Sequence, residues 1–189
     1  GILRHATQTD YTLYGIPSQH PDVIKGKAGS PYAVPDFYDV HPTLAVEPFQ
    51  RMVEWEQLIK RTHQAGMKVI MDFIPNHLAR QNKGFDACNF YYCEGQGFVS
   101  PRRVTEQPYE EYPAKATGNN VFAPNPSIND WYDTVKLNYD EHDTWEKMLE
   151  ILRFWCGKNV DGFRVDMAEM VPVAFWQWLI ENLRKDYQP

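Results

Sequence analysis

The sequence predicts an α/β fold in which parallel strands are covered by helices, and three observations predict it. Three segments carry helical apolar periodicity. Two short apolar runs lie between them and read as strands. The order is helix, strand, long insert, helix, strand, helix. With 189 residues, 43% of them hydrophobic, the chain has enough apolar material for a core.

The first helical segment is "EPFQRMVEWEQLIKRTHQAG". Phe49, Met52, Val53, Leu58 and Ile59 share its expected buried face, and Gly66 stands where a C-cap belongs. The run "MKVIMDFIP" follows as a strand. Its near-continuous apolar character suits cover on both faces, as in a parallel sheet with helical crossovers. It carries Asp72 and leads directly to Asn76 and His77.

Residues 77–138 break this rhythm with Gly, Pro, Asn and aromatics in no sustained period. Connections in compact α/β domains are short, so so long an insert is functional or a subdomain, and it leaves the carboxyl end of a strand, where α/β proteins place their sites. Its aromatics (Phe90, Tyr91, Tyr92, Tyr109, Tyr112, Trp131, Tyr132) suit either stacking on a flat ligand such as a sugar or plugging the loop. The second helix is expected in "DTWEKMLEILRFWCGKN", with Asp143 and Glu146 as a capping box and Met148, Leu149, Leu152 and Trp155 as its stripe. The run "VDGFRVDM" is the second strand. In "PVAFWQWLIENLRKDY", Pro172 fits a first helical turn, and Phe175, Trp176, Leu179, Ile180 and Leu183 form the buried face.

Composition narrows the function classes. A net charge of −6 and a pI near 5.5 argue against a nucleic-acid partner, which needs a basic stripe. No apolar run approaches the ~20 residues of a membrane span, so no membrane partner is expected. Cys88, Cys93 and Cys156 make no disulfide framework; a Cys88–Cys93 bridge is the one pairing their spacing offers, and buried or incidental thiols are the plainer reading. No G-x-S-x-G elbow supports a serine triad, and no H-E-x-x-H or paired Cys/His spacing supports zinc.

The chemistry concentrates on the two strands. Residues two apart on a strand share a face, so Arg164 and Asp166 point together, with Asp166 at the strand's carboxyl end. A guanidinium beside a carboxylate favours the ionised form. That is the state a nucleophile needs, and equally the state of a structural ion pair in a core strand. Asp72 on the first strand could accept from Arg164, and His77 at that strand's exit could donate to a ligand.

These motifs resemble the α-amylase family, glycoside hydrolase family 13. "MKVIMDFIPNH" resembles its first conserved region, and "DGFRVDMAE" its G-x-R-x-D region. "VKLNYD", with Lys136, Leu137 and Asn138, resembles the short motif late in the family's inserted domain B, in its neopullulanase-like form. "SPYAVPDFYDVHP" resembles the upstream segment in which a tyrosine precedes a D-Y-Y-like turn. The resemblance spans roughly residues 30–186, in the family's order.

It implies part of a TIM (β/α)8 barrel with a loop-rich domain B inserted after the third strand: barrel residues 1–76, domain B at 77–138, and barrel again at 139–189, the two strands being the third and fourth. It implies a retaining glycosidase acting on α-glucans or maltooligosaccharides, its nucleophile and acid/base carboxyls about 5–5.5 Å apart, or a transglycosylase of the same family. Asp166 matches the nucleophile, Arg164 its orienting partner, His77 a sugar-binding histidine and Tyr32 a tyrosine stacking on the same sugar. Asn76 matches the family's calcium-ligand asparagine, which makes calcium the candidate cofactor. Against calcium, Glu169 and Met170 stand where α-amylases proper carry Lys-His; that replacement points toward neopullulanase- or cyclomaltodextrinase-like branches. The family's acid/base glutamate follows its fifth strand, and the sequence reaches Pro189 before one. None of Glu169, Glu181 or Asp186 occupies that place, so these 189 residues are expected to be a piece of a longer enzyme and inactive alone.

Overall fold

The computed structural model describes residues 1–187. In chain order its strands and helices are β1 (Leu3–Arg4), β2 (Asp36–Val40), α1 (Arg51–Gln64), β3 (Ile70–Phe73), β4 (His77–Ala79), β5 (Phe98–Val99), β6 (Glu110–Glu111), β7 (Thr134–Lys136), α2 (His142–Gly157), β8 (Gly162–Val165) and α3 (Val173–Asp186). All three helices and both strands read from the sequence are present. The last two residues of the expected 139–189 segment, Gln188 and Pro189, lie outside the described residues.

β3 and β8 pair in parallel with Asp72 opposite Arg164. Asp161 anchors the start of this pair: its carboxylate accepts from Val69 N at 2.8 Å, bonds His63 Nε2 at 2.6 Å and takes Lys68 Nζ at 3.0 Å. The remaining pairings, β1–β2, β4–β7 and β5–β6, are antiparallel. Among the described residues every sheet has two strands, so no barrel closes. The segment expected to turn after Tyr32 is in fact β2, which β1 pairs at a bulge.

Among the described residues the parallel pair is covered on one face. Met71 and Phe73 are buried in the main core, whereas Ile70 is 61% exposed and Arg164 is exposed. The helices supply apolar surface to one face only, so alternate residues of each strand diverge in burial. Among the described residues Arg164 and Asp166 lie on the face that these helices leave uncovered, with the Asp166 side chain still mostly buried. The strand's polar residues sit on its open side.

The helix faces needed smaller corrections. On α1 the buried residues are Trp55 and Ile59, with Met52 beside them; Phe49, Val53 and Leu58 are exposed. Phe49 belongs to a 3-10 turn before the helix. The helix is then held to β2 by Arg51, whose Nε and Nη2 donate to Asp39 at 2.7 and 2.9 Å, and this sets which stripe meets the core. Gly66 follows α1 with φ 74°, the left-handed backbone that suits glycine after a helix.

α2 buries Met148, Leu149, Leu152 and Trp155 as expected. It lacks the capping box: the helix starts at His142, and Asp143, inside the first turn, accepts from Asn89 Nδ2 at 2.8 Å and pairs with Lys147 at 3.0 Å. Distant partners have taken the side chain that would have capped. α3 starts at Val173 with Pro172 at its N-cap; it buries Phe175 and Leu179, while Ile180 is exposed. The three cysteines are free thiols, and no helix among the described residues is long and apolar enough to cross a membrane.

The insert is tied down by polar groups rather than by apolar periodicity. β4 and β7 close its neck, and Phe90–Leu137 and Tyr92–Lys115 bridges brace it. Arg80 is fully buried: it donates to Tyr132 O at 2.6 Å and Glu111 Oε2 at 2.7 Å, and its guanidinium lies 3.4 Å over the Phe98 ring. Of the loop aromatics, Phe90 and Tyr132 are buried plugs, Tyr112 is exposed, and Trp131 lines a pocket.

Candidate active site

The parallel pair brings three of the sequence-predicted residues to one nitrogen. Arg164 Nη1 lies 3.2 Å from Asp166 Oδ1, 3.3 Å from Asp72 Oδ1 and 3.4 Å from the Tyr32 hydroxyl. The register that sets Asp72 opposite Arg164 accounts for the second contact, and the two-residue spacing along β8 for the first. One guanidinium thus separates two carboxylates that would otherwise repel. The Tyr32 hydroxyl and Asp72 raise the Arg164 pKa above its ordinary value.

Asp166 N donates to Phe73 O at 2.9 Å, which carries the parallel pairing one residue past β8. The chain then turns sharply: Met167 takes φ 54°, a left-handed backbone that is costly for a side-chain-bearing residue. This turn ends the strand with Asp166 and Met167 both facing a pocket of about 260 Å³, shared with Lys25, Ser30, Tyr32, His77, Trp131, Asp133 and Thr134. A larger hollow of about 580 Å³ beside Arg4, Asp36, Asp39 and Arg51 is lined by charges already paired with one another.

His77 is 2% exposed and forms the opposite wall. Asn76 Nδ2 lies 3.1 Å from its Nδ1, a contact that suits Nδ1 as the acceptor and Nε2 as the protonated nitrogen. Burial, reinforced by the positive charge of Lys136 and opposed by a hydrogen bond to the Tyr32 backbone, lowers its pKa to about 4. The ring is a neutral donor at neutral pH. Trp131 tilts against it with centroids 5.2 Å apart. Gly118 lies behind: a Cβ there would fall 2.7 Å from Thr134 Oγ1 and 2.8 Å from His77 Cγ, so only glycine allows this approach.

Asn76, the expected calcium ligand, is 1% exposed. Its Nδ2 donates to Gly118 O at 2.8 Å, and its Oδ1 accepts from Lys136 Nζ at 3.2 Å. The ammonium supplies positive charge where a calcium ion would have to sit, and among the described residues no three His, Cys, Asp or Glu side chains gather as a metal site. These residues do not fit calcium.

The sequence reading missed Lys25, Asp133, Met167 and Gly118 around this pocket, though it named Trp131 among the aromatics suited to stacking on a sugar. Asp133 and Gly118 lie in the aperiodic insert, where only proximity to "VKLNYD" could have singled out Asp133.

Comparisons with known proteins converge on one family. The family model described as alpha amylase, catalytic domain, matches residues 19–182. Alpha-amylase 3 of Dictyoglomus thermophilum is 28% identical over 149 residues, covering 74% of this chain and 26% of that protein. The human amino acid transporter heavy chain SLC3A1 is 29% identical over 150 residues, covering 74% of this chain and 21% of that protein. A crystal structure of an alpha-amylase from Lactobacillus plantarum superposes with a TM-score of 0.64 at 22% identity, over 98% of this chain and 34% of that one. The chain thus spans about a quarter of the length of the curated relatives it matches.

Proposed function

The chain belongs to the α-amylase catalytic-domain family, and on that premise we propose that the natural protein is a retaining glycosidase acting on α-glucosidic bonds of starch-like glucans or maltooligosaccharides. The observation that carries this is the single Arg164 nitrogen within 3.2–3.4 Å of Asp166, Asp72 and Tyr32, beside a pocket walled by neutral His77. Asp166 is the nucleophile: a carboxylate oxygen attacks the anomeric carbon as the glycosidic bond breaks, and water later releases the sugar. Arg164 aims Asp166, and Asp72 holds Arg164. His77 donates to the sugar through Nε2, and Tyr32 packs on the sugar.

The leaving oxygen needs a proton donor. Among the described residues the pocket's other carboxylate is Asp133, which is paired with Lys25. The acid/base is therefore assigned to a residue outside this chain, and the isolated 189 residues should not hydrolyse maltooligosaccharides. In this reading 1–76 and 139–189 belong to a barrel, 77–138 form the domain B wall, and the Lys136 ammonium replaces calcium at Asn76.

The test is Asp166→Asn in the natural protein. Turnover of maltooligosaccharides should fall by at least about a thousandfold with the fold intact. Retained turnover overturns the assignment. A second reading, a non-catalytic amylase-like protein that binds glucan or scaffolds a partner, draws on the similarity to a transporter heavy chain. It would be favoured if the unaltered natural protein bound maltotriose but turned over neither α-1,4- nor α-1,6-linked glucans. Transfer to a sugar acceptor in place of water would make it a transglycosylase with the same Asp166.

A further inference from the structure

Lys25 enters the candidate pocket from a loop remote from both catalytic strands. It follows Val23 and Ile24, which are 2% and 0% exposed. The loop is pinned to the insert by Asp22, whose carboxylate accepts from Val104 N at 2.7 Å, Thr105 N at 3.3 Å and Tyr109 N at 3.2 Å. On the other side Gln8 N and Thr7 Oγ1 donate to Lys27 O, and Gln8 Nε2 to Gly26 O. The lysine stem is therefore set by rigid neighbours before and after it.

Its partner is Asp133, which is 2% exposed and whose Oδ1 is buried without a hydrogen bond. Lys25 Nζ stands 3.4 Å from that oxygen, close enough to compensate its charge. A buried carboxylate left without a hydrogen bond is costly. Burial pushes the Asp133 pKa up, and Lys25 opposes the rise. The ammonium itself is about one-third exposed, 3.4 Å from Asp133 Oδ1 and 5.6 Å from the centroid of the Tyr132 ring, and with three N–H donors it keeps some for a ligand. It lines the same pocket as Tyr32, His77, Thr134 and Asp166.

We propose that Lys25 is a specificity-determining residue of this pocket, its ammonium held by Asp133 and donating to a hydroxyl of the sugar seated against Asp166. The proposal rests on reading the pocket as an α-glucan site. It makes Asp133 a positioning residue rather than a proton donor.

The experiment uses the natural protein carrying Asp166→Asn, so that binding is read without turnover, and titrates maltotriose with and without Lys25→Met. Loss of one charged hydrogen bond should weaken the Kd about tenfold or more, with the melting temperature little changed and partial recovery in Lys25→Arg. An unchanged Kd overturns the proposal, whether or not the melting temperature falls. No maltotriose binding by either protein also overturns it. Failure of the underlying reading shows elsewhere, as turnover that survives Asp166→Asn.

Discussion

The β3–β8 pair and the insert wall hold their polar groups in opposite ways. On the strands, Asp72, Arg164 and Asp166 sit on an open face and meet through one guanidinium nitrogen. In the wall, Asn76, His77, Arg80, Asp133 and Thr134 are all buried, and most are fixed by hydrogen bonds to backbone or to one another. The strand site is charged and paired around a half-exposed guanidinium, so substitutions there should alter chemistry more than stability. The wall is polar and dry, so substitutions there should alter stability first. A desolvated polar group has no water to fall back on when its partner is lost.

The largest effect expected from this contrast is at Arg80. Arg80→Met strips the donor from Tyr132 O and breaks the buried pair with Glu111, and should cost about 3 kcal/mol in denaturant unfolding. A loss no greater than that of a surface substitution would break the comparison.

Acid comes next, through His77. Its folded-state pKa of about 4 lies below the ordinary 6.5, so the unfolded chain takes up the proton first as pH falls. Above 6.5 both states are neutral and stability from this group is level. Between 6.5 and about 4 stability should decline, in total by roughly 3 kcal/mol, and below about 4 this contribution should decline no further. His77→Gln should flatten that part of the stability–pH profile. An unchanged profile would mean the ring is solvated.

Arg164 tests the other side. Arg164→Met in the natural protein should lower maltooligosaccharide turnover about a hundredfold by releasing Asp166 from its aim, while in the isolated chain, where the side chain is half-exposed, the unfolding midpoint moves little. A large midpoint shift would make the pair structural after all. The smallest effect is expected from calcium. With Lys136 already on Asn76 Oδ1, neither added calcium nor a chelator should shift the unfolding midpoint, since an ion stabilises only by binding the folded state. A calcium-dependent rise would overturn the lysine's role.

Much of this was legible in the residues themselves. The periodicity of "MLEILRFW" identified α2 and its buried stripe, and the two apolar runs identified β3 and β8, because helix and strand repeats are local properties of the chain. The two-residue spacing of Arg164 and Asp166 placed both on one face for the same reason. What stayed hidden was non-local. Asp143 has the sequence context of a capping box, yet Asn89 and Lys147 claim it from elsewhere in the chain.

By itself, then, the sequence determined the helices, the parallel strands, and the family to which their D-x-x-x-N-H and G-x-R-x-D patterns belong. Only the tertiary structure decided that Arg164 Nη1 meets Asp72 and Tyr32 as well as Asp166, that Lys136 reaches Asn76 Oδ1, and that Lys25 reaches Asp133. Hydrophobic periodicity is written in neighbouring residues. The desolvation and pairing of a charge depend on groups that folding brings from a hundred residues away.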